Sequence, residues 1–338
     1  MATQPVRPET IERLASAVYP SFAMLAGMQL DLFTPLKDGA LTAEQIADAL
    51  GVRADKLRPL LYALVVAGLL TVDGERFANT PEAGRFLVRG KPSYVGIRHE
   101  TFFRDWSATL KTAESIRTGV PQAKVDFAGM SQAQLEPLYR SYHPATMSAG
   151  RDLLTRYDFS GYRRLLEVAG GSGGLSIVIT KACPHLSTTV VELPAVTPIT
   201  QRYVAEAGMA DRIRVVAADV VHGPISGTYD AAVMRAFIQV LSPERAQRAL
   251  RNVGQAIVPG GWIYILGRFL DNSRLSPVEN VYDTLNFSNR YDEGQSYTEQ
   301  EYGDWLEGAG FTEAFQRLTL SGGIGIIRAM KPGLGLPQ

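Results

Sequence analysis

Hydrophobic positions divide the chain in two: an N-terminal part with helical spacing, and a C-terminal part where short apolar runs alternate with helical segments. Ile11, Leu14, Val18, Phe22, Leu25 and Met28 recur at intervals of three and four and predict a helix with one apolar face. Residues 41–52 predict a second helix, with Thr42 as N-cap and Gln45 three positions on, the pair of a capping box. A third helix over 53–70 follows, then a hairpin over 71–80 that turns at Asp73-Gly74. Two short helices and a hairpin in this order read as a winged helix. Such a unit either reads DNA or serves as a packing and dimerisation module. The third helix carries Arg53, Lys56 and Arg58 only near its start and then runs apolar from Leu60 to Val66, which favours burial.

Residues 96–160 read as mostly helical and rich in aromatics, and connect this module to the rest. From 161 onward strands and helices alternate. Apolar runs predict strands at 165–170, 187–193, 213–220, 229–237 and 260–270. Ser242 caps the helix before the last of these, and Thr298 with Glu301 forms a capping box at the start of another over 297–311. Two closing runs, FQRLTL and GGIGIIRAM, read as antiparallel strands. The predicted fold is α/β, a doubly wound, mostly parallel sheet with antiparallel C-terminal strands, behind an all-α and winged-helix N-terminal domain. The expected divisions are 1–95, a helical linker over 96–160 that contributes to a substrate pocket, and 161–338.

Composition narrows the partners. Lys+Arg and Asp+Glu both number 34, and the net charge of zero weighs against nucleic acid, whose phosphates call for a basic surface. Cys183 is the single cysteine, so no intrachain disulfide can form, and the four histidines are scattered without zinc spacing, so no metal is expected. The N-terminus lacks a signal-peptide pattern and no apolar run reaches the length of a membrane span, so the expectation is a cytoplasmic protein with no membrane partner.

The chemistry concentrates where the first strand of the alternating region runs into LLEVAGGSGG (165–174). Glycines there let the backbone turn sharply and approach a ligand. The fingerprint G-x-G-x-x-G of dinucleotide binding is not cleanly present. Glu192 ends the second strand, about twenty residues beyond the loop, where a carboxylate can accept ribose hydroxyls. Asp219 ends the third, placed for the exocyclic amine of an adenine, and Glu167 stands beside the glycine loop. Three carboxylates at successive strand ends suit a cationic ligand better than a diphosphate.

These segments, with VVELP, AADV, PGGWIYIL and TEQEYGDWLEGAGF, resemble the O-methyltransferase family of caffeic acid, acetylserotonin and bacterial polyketide methyltransferases, over nearly the whole chain. The resemblance implies a class I, Rossmann-like methyltransferase domain that uses S-adenosylmethionine (SAM). It also implies an N-terminal domain that forms a homodimer. By the same resemblance Ala169, Gly171, Gly173, Glu192, Asp219 and Arg235 contact SAM, with Glu167, Leu193 and Val220 beside them as further candidates.

One position departs from the family. Plant-type members carry a histidine after the fourth strand that takes the proton from the acceptor hydroxyl. Aligned without gaps on Glu244, that position is Gln239, and glutamine is no base near neutral pH. Either the acceptor needs no deprotonation (a thioether, a tertiary amine, an acidic phenol), or another group such as His143 serves, or proximity carries the rate. The expected acceptor wall is Phe102, Trp106, Tyr139, Tyr142, Asn286, Phe287 and Asn289, with Tyr142 close to where related enzymes place a substrate-contacting methionine. The expected activity is methyl transfer from SAM to oxygen or thioether sulfur of a small molecule. A named alternative acceptor is 4-methylthio-2-hydroxybutyrate, on the way to dimethylsulfoniopropionate. A different class, a winged-helix regulator sensing SAM or a metabolite, is opposed by the zero net charge and the apolar third helix.

Overall fold

The computed structural model describes residues 6–96, 99–320 and 323–333, in two compact units that divide between Trp106 and Ser107. The first contains α1 (Glu9–Ser16), α2 (Tyr19–Gln29), α3 (Ala43–Leu50), α4 (Ala54–Val66), α5 (Pro81–Phe86) and most of α6 (His99–Thr109). Its small sheet pairs β1 (Leu41–Thr42) and β2 (Leu70–Asp73) with β3 (Arg76–Asn79) between them. The capping box forms as expected: Thr42 accepts from the Gln45 amide and the Gln45 side chain accepts from Thr42 N–H. Gly51 then closes α3 in the left-handed region at φ +67°.

Two expectations for this unit need correction. The predicted first helix is two, α1 and α2, because Pro20 sits in the first turn of the second and cannot supply the amide that would continue a single ladder. Nor is α4 buried on all sides. Leu57, Leu61 and Leu64 face the core with Ile46 and Phe77, while Tyr62 and Val66 are exposed. A helix lying on a small unit can turn only one stripe inward. The apolar side of α1 and the start of α2, with Ile11, Leu14, Val18 and Phe22, is likewise open in the single chain.

The second unit adds α7 (Thr112–Thr118) and the long α8 (Gln132–Leu154) before the large sheet. Its strands are β4 (Arg164–Val168), β5 (Ser187–Glu192), β6 (Ile213–Ala217), β7 (Tyr229–Arg235), β8 (Ile257–Leu270), the short β9 (Tyr297–Thr298), β10 (Glu313–Thr319) and β11 (Ile324–Met330). Between them run α9 (Gly174–Ala182), α10 (Thr197–Glu206), α11 (Pro243–Ala256), α12 (Val278–Arg290) and α13 (Glu299–Gly308). The strand order is β10-β11-β8-β7-β4-β5-β6, with β9 beside the end of β8. Strands β6 through β8 in that order are parallel, and β11 and β10 are antiparallel additions at one edge. The predicted α/β fold is therefore the observed one.

Alternation along the strands sends the core to both faces. Leu166, Val168, Ala232, Met234, Ile263 and Ile265 pack with residues of α11 and α13, while Leu165, Ala231, Val233, Tyr264 and Leu266 pack with residues of α8 and α9. The chain leaves β4 for β5 on one side and later enters β7 on the other. The strand order reverses there, and a crevice opens beyond the carboxyl ends of β4 and β7. Among the described residues no helix is long and apolar enough to cross a membrane, and no group of three or more His, Cys, Asp or Glu is placed to hold a metal.

Candidate active site

Strand β4 stops at Val168 because the backbone turns left-handed at Ala169 (φ +51°), Gly171 (φ +59°) and Gly173 (φ +69°). At Gly171 the space is also taken: a Cβ would stand 2.8 Å from Cε1 of Tyr139. Gly170 has an ordinary φ, but a Cβ there would lie 2.5 Å from Val190. Thr200 in α10 donates to the Gly171 carbonyl at 2.5 Å and holds the loop from behind.

Two buried carboxylates meet this loop. Glu192, at the end of β5, accepts from Gly171 N–H and Leu193 N–H, both at 2.7 Å. Burial pushes its carboxyl up from the usual range, against those two bonds. Glu167 accepts from the Ser176 amide at 3.0 Å and from the Ser176 hydroxyl, and burial pushes it up to about 7 in spite of both. Asp219, just past β6, behaves differently. Burial works to raise it, but bonds from His222 Nδ1 (2.7 Å) and Val221 N–H (2.8 Å) outweigh that, and the group sits below the usual range. Arg235 ends β7 as a largely buried guanidinium. Burial and then the like charge of Arg268 weaken its hold on the proton, while Tyr142 and Glu167 strengthen it.

All four charged groups line one cavity of about 580 Å³, together with Ala169, Gly171, Leu193, Val220, Tyr139, Tyr142, Gln239 and Phe287. That size is within the range of small-molecule sites. Gln239 sits in a short 3₁₀ turn after β7 and is buried, and its Oε1 accepts from Arg268 N–H at 3.4 Å.

Four predicted residues of the second unit stand outside this wall. His143 is not in the cavity wall: its Nδ1 is bonded to Ser172 Oγ at 2.8 Å and its ring stacks on Tyr203 at 4.3 Å, so it ties α8 to the glycine loop. The structure thus places His143 against the loop and not in the cavity wall. Burial also lowers its affinity for a proton. Gly173 does not line the cavity either but begins α9. The Asn289 amide donates to Thr112 Oγ1 and the Leu285 carbonyl, joining α12 to α7, and Asn286 is also outside the wall. Phe102 and Trp106 belong to the first unit, stacked on each other with Trp106 edge-on to Phe22.

Sequence reasoning missed part of the wall. Residues 124–128, between α7 and α8, line the cavity, as do Phe237, Arg245 and Arg290 to Glu293. The first of these segments has no periodicity to mark it. Only Arg290, a lone cation next to a residue already suspected, carried a usable signal.

The strand order, closed by an antiparallel pair, and a switch-point crevice where a glycine loop meets acids at successive strand ends fit one class: a methyltransferase that uses SAM. Comparison with known proteins narrows it. Residues 131–312 match the model of the O-methyltransferase domain, and residues 12–89 match that of the O-methyltransferase dimerisation domain. The chain belongs to this O-methyltransferase family. It is 29% identical over 315 residues to the tetracenomycin polyketide synthesis 8-O-methyl transferase TcmO of Streptomyces glaucescens, covering 90% of this chain and 92% of that protein. It is 28% identical over 330 residues to 3-hydroxy-5-methyl-1-naphthoate 3-O-methyltransferase of Streptomyces sahachiroi, covering 96% and 95%. The crystal structure of the S-adenosylmethionine-dependent methyltransferase SibL is similar at 25% identity and TM-score 0.79, over 96% of this chain and all of that one.

Proposed function

We propose that the chain transfers the methyl group of SAM to an oxygen of a small aromatic acceptor, without a side-chain base at position 239. The observation that carries this reading is the convergence of Glu167, Glu192, Asp219 and Arg235 on one cavity with Gln239 and the aromatic side chains of Tyr139, Tyr142 and Phe287. The donor set fits SAM. Each Glu192 oxygen keeps a lone pair beyond its backbone bond, enough for two ribose hydroxyls. Asp219 and Val220 suit the adenine, Glu167 the amino group and Arg235 the carboxylate. When bound, SAM supplies a methyl group already activated on a sulfonium.

The chain's own contribution is placement. Tyr139 and Tyr142 meet edge to face at 6.2 Å and offer ring faces to a flat acceptor. With Oε1 of Gln239 turned to the backbone of β8, its amide nitrogen is left to donate to an acceptor oxygen; it orients that oxygen and takes no proton. Rate then comes from proximity and alignment, which reach effective molarities of about 10⁵ M or more in favourable cases. The names of the two Streptomyces relatives, both O-methyltransferases and one of them of a naphthoate, support an oxygen acceptor. Gln239 also favours a second reading, transfer to a thioether sulfur, which has no proton to lose.

The assembly proposed is a homodimer formed through the first unit, whose open face carries Ile11, Leu14 and Val18. Calorimetry with SAM and S-adenosylhomocysteine (SAH) tests the cofactor site, and absence of binding overturns the proposal. Labelled SAM with a panel of phenols, thioethers and amines, read by mass spectrometry, tests the acceptor. Gln239→His is expected to accelerate transfer to weakly acidic phenols and to leave thioethers unaffected.

A further inference from the structure

His143 stands outside the cavity wall, yet it bonds a residue that belongs to it. Ser172 lines the cavity, is 2% exposed, and lies between Gly171 and Gly173 in the glycine loop. Among the described residues its hydroxyl has one hydrogen-bond partner, Nδ1 of His143 at 2.8 Å. The loop is gripped at two further points: Glu192 accepts from Gly171 N–H, and Thr200 of α10 donates to the Gly171 carbonyl. Tyr203, three residues along α10 from Thr200, stacks on the His143 ring with the planes 22° apart. One helix thus holds Gly171 directly and Ser172 through an imidazole.

The bond to Ser172 depends on the charge of that imidazole. A neutral ring with its proton on Nε2 accepts the Ser172 hydroxyl proton and satisfies it. An imidazolium donates from both nitrogens, and the hydroxyl proton then loses its acceptor in a place that water barely reaches. The surroundings favour the neutral form. Burial lowers the affinity of the ring for a proton, against the weaker pull of Glu206. Glu206 is itself paired with Arg202 at 3.5 Å, and Arg202 with Glu136 of α8 at 2.6 Å. Arg202 also stands over the Tyr203 ring at 5.1 Å, so that ring already serves a cation. Arg140, three residues before His143 on α8, is exposed.

Resting on the methyl-transfer reading above, we propose that His143 is a positioning residue for SAM: its neutral imidazole fixes Ser172, and with it the loop that receives the cofactor, whereas the imidazolium releases that loop. Cofactor affinity then scales with the fraction of neutral His143, and each pH unit below half-protonation weakens binding by up to about tenfold.

The test is calorimetric titration of SAH into the parent, His143→Asn, His143→Ala, Ser172→Ala and the double alanine variant. Asparagine keeps an acceptor oxygen where histidine has Nδ1 and cannot take a proton. At pH 7.5, His143→Asn is expected to bind within about threefold of the parent, and each single alanine variant about tenfold more weakly. The double variant should be no weaker than either single one, because both remove the same bond. From pH 7.5 to 5.5 the parent should lose up to about tenfold in affinity relative to His143→Asn. Glu167, Glu192 and Asp219 titrate in both proteins and cancel in that ratio. Melting temperatures report folding at each pH, and the comparison of parent with His143→Asn stands whether or not the alanine variants fold. A ratio that stays constant with pH, parent-like binding by His143→Ala, or additive losses in the double variant overturns the proposal. Failure of the parent to bind SAH overturns the underlying methyltransferase reading instead.

Discussion

Replacing Glu167 with glutamine is expected to remove a pH dependence that the buried carboxyl imposes on stability. The group is 1% exposed, and burial pushes it from 4.5 to about 7 although Ser176 donates to it twice. Between roughly pH 4.5 and 7 the folded chain holds a proton here that the unfolded chain has released. Stability therefore falls as the pH rises through that window. Two and a half units at about 1.36 kcal/mol each come to about 3 kcal/mol by pH 8. Glutamine stays neutral throughout, and its Oε1 can still accept from Ser176. The advantage of Glu167→Gln over the parent should thus be small at pH 5 and grow toward pH 8. For a unit of this size the gain corresponds to roughly 6–12 °C in melting temperature. Thermal unfolding of both proteins at pH 5, 6, 7 and 8 and constant ionic strength measures it, because taking the difference cancels every other titrating group. A melting-temperature difference that stays constant over the range, or that is larger at pH 5, would refute the reasoning.

Three further substitutions probe the loop, the proposed ribose contact and the assembly. Glu192→Gln keeps one acceptor for two backbone donors, leaving a buried N–H of Gly171 or Leu193 without its partner at a cost of about 1–3 kcal/mol; SAH affinity measured by calorimetry should fall about 10- to 100-fold. Gly171→Ala forces a Cβ into the left-handed region and against Tyr139, and should lower stability by at least about 1–2 kcal/mol in chemical denaturation. Leu14→Asp on the open face of α1 should leave the fold intact, since the residue is 54% exposed, but shift sedimentation from dimer to monomer.

The strand-end side of the cavity was legible in the sequence because each of its parts is local. A strand end, a run of glycines and an acid at the close of the next strand lie within about thirty residues, and parallel pairing of β4 with β5 brings Glu167, the loop and Glu192 together. The aromatic wall was legible only in part, since Tyr139, Tyr142 and Phe287 line the cavity and the two asparagines do not, and α12 shows why. Phe287 and Arg290, three residues apart on one side of the helix, line the cavity. Asn286 and Asn289 are each offset by one residue, a rotation of about 100°, and Asn289 turns instead to Thr112 in α7. The asparagines were candidates by their place in the insertion after the fifth predicted strand, yet the end of the helix is tied to a strap from residues 123–125, about 165 residues earlier in the chain. No period within α12 records that contact. The same holds for His143: its place in the aromatic segment before the glycine loop made it a candidate base, and no local pattern records that Ser172 and Tyr203, from two other segments, hold the ring. The strand-end side of this cavity is thus written in local motifs, and its opposite wall in the rotation of one helix.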